Sequence, residues 1–203
     1  MAESAAQSPA EIYSPARLSA IPLRGLVALT ARCTRRVQPL WGDLAPPDRS
    51  QLERAIQIAE GVGSGLYSHH DARRAEGVDI HRWSPKRPDF SVARTAPGTA
   101  IYALVCACCE SSEEAAAPTL LAVREAHFAA GGDSHDLAEA ETHFNAASAA
   151  PPGSTLALVA MGIRRDLDCV AAITHQRRDD MAVAPAYFGP LWPSGSPPGW
   201  PEE

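Results

Sequence analysis

Lysine is almost missing from this chain: Lys86 is the only one among 18 basic residues, and the rest are arginine. Together with abundant alanine this reads as a GC-rich coding bias, so arginine counts carry little functional information. A positive charge balance is missing too. With 24 acidic residues against 18 basic ones the formal charge is −6, which argues against a general nucleic-acid binder, since such proteins need a basic footprint to neutralise phosphates. No stretch approaches the ~18 uninterrupted apolar residues of a membrane span, and Met1-Ala-Glu-Ser-Ala-Ala-Gln-Ser holds no positive segment leading into an apolar core. The expectation is a cytoplasmic protein with neither nucleic acid nor membrane as partner. Cys33, Cys106, Cys108, Cys109 and Cys169 are an odd number of cysteines and fit reduced thiols better than a disulfide framework. Nucleophile elbows and fixed-period repeats are absent. Gly61-Val-Gly63-Ser-Gly65 follows a helical pattern and lacks the lysine that grips phosphate, so it reads as helix termination.

What is present is helical periodicity. Leu23, Leu26, Val27, Thr30, Cys33, Val37 and Leu40 recur at three- and four-residue steps, predicting a helix over 22–40 that Pro39 and Gly42 stop, with Arg24, Arg32, Arg35 and Arg36 mostly off its apolar stripe. A second helix starts after Asp48 or Ser50 and carries Leu52, Ala55, Ile56, Ala59 and Val62 inward. A short piece follows from His69 to Glu76. Residues 77–98, with Pro85, Pro88 and Pro97 around Trp83 and Phe90, read as an ordered loop. The apolar run from Thr99 to Cys109 suits a buried strand or a buried helix; recurring alanine favours the helix. Further helices run from Glu113 or Pro118 to Phe128, and from Asp133 or Ser134 through Ala147. The last is capped by Ser154 or Thr155 and carries Leu156, Val159, Ala160, Ile163, Leu167, Val170 and Ile173 on one face. The expected fold is an all-α bundle of about six helices with 22–40 and 154–176 at its centre. Its divisions are a flexible lead-in over 1–18, a helical domain over 19–183 and an extended tail over 184–203 packed on that domain.

Two constellations carry candidate chemistry. His135, Glu139 and His143 are four apart and line one helix face, the arrangement of metal ligands in helical bundles. At ~1.5 Å rise per residue the two histidines stand roughly 12 Å apart along the axis, so Glu139 pairs with only one of them and other ligands must come from elsewhere. A solvated acidic face is the simpler reading. Cys106-Ala-Cys108-Cys109 contains a Cys-x-x-Cys, but it ends an apolar run rather than opening a helix after a strand, so packing explains it better than zinc or redox chemistry.

The tail is the most informative segment. Tyr187, Phe188, Leu191, Trp192 and Trp200 stand among prolines that forbid helix and central strand, so their surface is buried by something other than local structure. The tail is either an intramolecular strap or a peptide that docks on a partner. Phe188-Gly-Pro-Leu-Trp-Pro193 with Gly199-Trp-Pro201, and the early segment from Leu26 to Trp41, resemble uncharacterised helical proteins of GC-rich bacteria. That resemblance implies a shared helical fold and transfers no activity. The reading that follows is a non-enzymatic, cytoplasmic accessory or adaptor protein without cofactor. It binds another protein through Tyr187, Phe188, Leu191, Trp192 and Trp200. The alternative is a metal-dependent hydrolase-type enzyme using the His135, Glu139 and His143 face. Metal analysis of protein purified without chelator separates the two: we expect no zinc, iron or manganese, whereas a stoichiometric ion lost on combining Glu139→Ala with His143→Ala establishes the alternative.

Overall fold

A computed structural model describes residues 13–42, 44–75, 95–131, 150–173 and 181–200. Among them are seven α-helices and no strand: α1 (Pro15–Ser19), α2 (Leu23–Val37), α3 (Pro46–Gly63), α4 (His69–Arg74), α5 (Thr95–Cys108), α6 (Ser112–Ala129) and α7 (Thr155–Ile173). The all-α expectation holds, and none of these helices is long and apolar enough to cross a membrane.

The stripe read over 22–40 forms α2 and then tightens into a 3-10 turn over Gln38–Trp41, where Pro39 no longer needs an N–H to give. Leu26, Val27, Leu29, Cys33 and Val37 have no exposed surface, and α2 packs against α3, α5, α6 and α7, which makes it the axis of the bundle. Buried Thr30 and Thr34 satisfy their hydroxyls by donating to Leu26 O at 3.1 Å and Thr30 O at 3.0 Å. The run from Thr99 to Cys109 is helix, as alanine favoured: Ala100, Ala103, Cys106 and Ala107 are fully buried in α5, against α6 and α3.

Several boundaries differ from the sequence reading. The segment drawn as a frayed lead-in through residue 18 is ordered from Tyr13 onward, with Tyr13 and Leu18 buried and Ser14 Oγ accepting from Arg17 N at 3.3 Å. A five-residue helix is too short to print a period. Residues 95–98, assigned to a loop, are the first turn of α5, where Pro97 loses no hydrogen bond. Pro118 does not start α6 but lies inside it, removing one backbone hydrogen bond without ending the helix; Ser111 caps the true start, accepting from Glu114 N at 3.2 Å. Helix α3 also runs through Gly61 and Gly63 instead of stopping. A Cβ at Gly61 would sit 2.2 Å from the Tyr67 ring and one at Gly63 would sit 3.1 Å from Ala28 Cβ, so the glycines admit close neighbours rather than break the helix. The expected loop over 76–94 and the expected helix over 133–147 lie outside the described residues.

Helix α7 is capped by Ser154, whose Oγ accepts from Ala157 N at 3.2 Å. Val159, Ile163, Leu167 and Val170 are fully buried against α2 and α6, while Met161 and Asp168 on the other face are exposed. It flanks the bundle rather than occupying its centre, because a single three-four stripe gives a helix one buried face. Ile163→Ala and Leu167→Ala should each lower the stability by about 2–5 kcal/mol through the cavity left behind. Unchanged urea denaturation of both variants would remove α7 from the core.

Candidate functional site

The charged centre of the molecule lies between α2 and α7. Arg32 and Arg36 are one helical turn apart on α2, and they face Gly162 and Asp166, one turn apart on α7. Asp166 and Arg36 are fully buried. Asp166 Oδ2 accepts from Arg32 Nε at 2.7 Å, and Arg36 Nη1 lies 2.6 Å from the same oxygen, as a charge contact rather than an aligned hydrogen bond. Gly162 makes the room: a Cβ there would stand 2.3 Å from Arg36 Nε.

Two guanidinium groups on one carboxylate leave a surplus positive charge, and a poorly solvated cation needs acceptors. Residues 188–191 supply them. Arg32 Nη2 donates to Gly189 O at 3.2 Å and Pro190 O at 3.1 Å, Arg36 Nη2 donates to Leu191 O at 3.2 Å, and Arg165 donates to Phe188 O. Four consecutive carbonyls are thus held by three arginines. The same guanidinium planes carry rings, Arg32 over Phe188 at 4.9 Å from the centroid and Arg36 over Trp192 at 6.0 Å. Trp192 meets Trp200 edge to face with centroids 5.8 Å apart.

Of the five aromatic and aliphatic tail residues singled out in the sequence, Phe188 is buried, Leu191, Trp192 and Trp200 are half-buried, and Tyr187 is exposed, its hydroxyl donating to Cys169 O at 3.3 Å. Pro185–Phe188 forms one 3-10 turn. Farther back, Val183 N donates to Gly63 O at 2.8 Å. Between α2, α3 and this segment lies a pocket of about 280 Å³, walled by Ala28, Ala31, Arg32, Arg35, Glu60 and Phe188 among others. Its charges are already matched: Glu60 accepts from Arg35 Nε at 2.7 Å and Nη2 at 2.8 Å, while Glu53 accepts from Nη1 at 2.8 Å. Those bonds, Glu60 foremost, raise the Arg35 pKa above its ordinary value.

The cysteines do not form a reactive or metal-binding centre within the described residues. Burial pushes the Cys33 and Cys106 thiols up to about 12 and Cys109 up to about 11, so they stay protonated at neutral pH. Cys109 donates to Val105 O at 3.3 Å. No three His, Cys, Asp or Glu side chains gather to hold an ion among the described residues, and the Cys106, Cys108 and Cys109 group does not converge with Cys33 and Cys169. His135, Glu139 and His143 lie outside the described residues. His69 Nδ1 is 3.0 Å from Ala107 O, and buried His127 meets the Tyr13 ring edge to face.

The sequence reading passed over Arg32, Arg36, Gly162, Arg165 and Asp166. A signal for two of them was present: Arg36 is three residues after Cys33, and Asp166 lies between Ile163 and Val170, so each falls on an apolar stripe. The chain matches no family model, no curated protein and no solved structure.

Asp166→Ala leaves two guanidinium groups without their carboxylate and should cost about 3–5 kcal/mol, whereas Asp166→Leu combined with Arg36→Met should recover most of that loss. A double variant no more stable than Asp166→Ala in urea denaturation would contradict the pairing.

Proposed function

We propose that this is a non-enzymatic accessory protein that works by binding another protein, with its contact surface along the line where residues 181–200 meet the helices. The supporting observation is where large apolar side chains face solvent. Five do so among the described residues: Leu66, Tyr67, Met161, Met181 and Tyr187. Met181 just precedes the tail and Tyr187 belongs to it. Leu66 and Tyr67 sit on the turn next to Gly65, where an added Cβ would stand 2.8 Å from Ala182 Cβ. Met161 lines a shallow recess on α7 together with Tyr187. Apolar exposure concentrated along one line, and rich in Tyr, Met and Leu with arginines at its margin, is the surface pattern of a protein contact.

The chemistry of the centre supports the same reading. Among the described residues its arginines face Asp166 Oδ2 and the main-chain carbonyls of residues 188–191, so these charges are turned toward the chain itself. In the expected adaptor role, the tail residues Phe188, Leu191, Trp192 and Trp200 shape the surface from beneath while Tyr187 stands on it.

A photo-reactive phenylalanine at position 66 or 187 of the full chain tests this, with Gln57, exposed on α3, as the control position. Illumination in lysate should give the same discrete protein adduct from positions 66 and 187 and none from 57. Equal labelling from all three positions, or none from any, would overturn the proposal.

A further inference from the structure

The tail and the α2–α7 cleft beneath it are built as two separable parts. Asp166 Oδ2 contacts both Arg32 and Arg36 from within the helices, so this part of the cluster is made without any tail residue. What they take from the tail is chiefly main-chain carbonyl oxygen, an acceptor that every extended peptide offers. Side-chain selection comes from four positions. Phe188 and Trp192 lie over the Arg32 and Arg36 planes. Gly189 has a φ of 68°, a backbone conformation that calls for glycine. Pro190 brings no N–H that the cleft would have to satisfy.

The tail also fills its cleft incompletely. Beside the Phe188 ring, on its α2–α3 side, lies the pocket of about 280 Å³, walled by Ala28, Ala31 and Arg32 and by Arg35 and Glu60, which pair with each other. Apolar cavities smaller than this accept a benzene-sized group, so a larger ring at the Phe188 position would fill space that phenylalanine leaves empty.

We propose that the α2–α7 cleft is a peptide-binding site whose ligand is an extended partner segment of the pattern aromatic-Gly-Pro-aliphatic-Trp-Pro, which enters by displacing the chain's own 188–193 segment. This deepens the interaction reading and rests on it, yet the two fail separately. Position 66 lies on the α3–α4 turn outside the cleft, so its cross-linking stands if peptide binding fails, and peptide binding stands if cross-linking fails.

The test uses the full chain and a fluorescein-labelled synthetic peptide with the sequence of residues 187–193, read by fluorescence polarisation. Because the tethered tail competes at high effective concentration, Phe188→Ala with Trp192→Ala in the full chain should bind the peptide about tenfold or more tighter than the natural chain does. A peptide with tryptophan at the phenylalanine position should bind tighter still. Replacing the peptide's glycine by alanine, or adding Arg165→Ala to the protein, should weaken binding by about tenfold, the order expected for one lost charged hydrogen bond or one strained backbone position. A folded tail-weakened variant, intact by circular dichroism, that binds no peptide would overturn the proposal. So would binding indifferent to both the glycine and Arg165, and so would a natural chain that sediments as a tail-exchanged dimer, since the occupant would then be a second copy.

Discussion

One buried carboxylate organises this molecule. Asp166 on α7 faces two arginines on α2, and its charge is what allows Arg36 to lie where water does not reach. A buried ion pair contributes little net stability, because desolvation offsets most of the attraction, but it is intolerant of misplacement. Sliding α7 by one residue would carry Asp166 away from both guanidinium groups and drive a side chain into the space that Gly162 leaves for Arg36. The pair therefore fixes the register of α7 on α2 more sharply than the aliphatic contacts around it, which tolerate small shifts.

The surplus charge of that cluster explains how a proline-rich segment acquires a defined position. Residues 185–200 make few hydrogen bonds among themselves, mostly single turns such as Gly189 N to Ala186 O and Trp200 N to Pro197 O. The carbonyls of residues 188–191 turn instead to the arginines, and such acceptors are what two arginines sharing one carboxylate require. Each side supplies what the other lacks. Proline lowers the conformational entropy lost on ordering such a segment, and the guanidinium planes receive its rings, so a chain without regular structure is held by contacts at every residue from 188 to 192. The same complementarity underlies the proposed exchange with a partner peptide, because carbonyl recognition does not depend on whose backbone supplies the oxygen.

Other polar groups among the described residues brace the helices. Threonines on α2 donate to carbonyls of their own helix, Arg35 clamps α2 to α3 through Glu53 and Glu60, and Arg73 donates to Cys108 O near the end of α5. Cys33 and Cys106 behave as small apolar side chains, and burial holds their thiols protonated. These features direct attention to surfaces, and in particular to the line where Leu66, Tyr67, Met181, Tyr187 and Met161 face solvent.

Periodicity alone determined the long helices: α2, α3, α6 and α7 each carry an apolar stripe at three- and four-residue spacing, and alanine content was enough to make α5 a helix. Local composition also marked the tail as a segment whose aromatics need cover. Packing decided the rest. Glycine in α3 and α7 and proline in α6 look like breakers when only propensity is considered, and became sites of close approach or a tolerated gap once neighbours were present. Arginine was discounted because its abundance follows coding bias, yet three of its copies hold the centre of the molecule. Counting residue types cannot distinguish an arginine in water from one facing a buried aspartate 130 residues away in the chain, since that difference lies in which helices meet and not in either helix by itself.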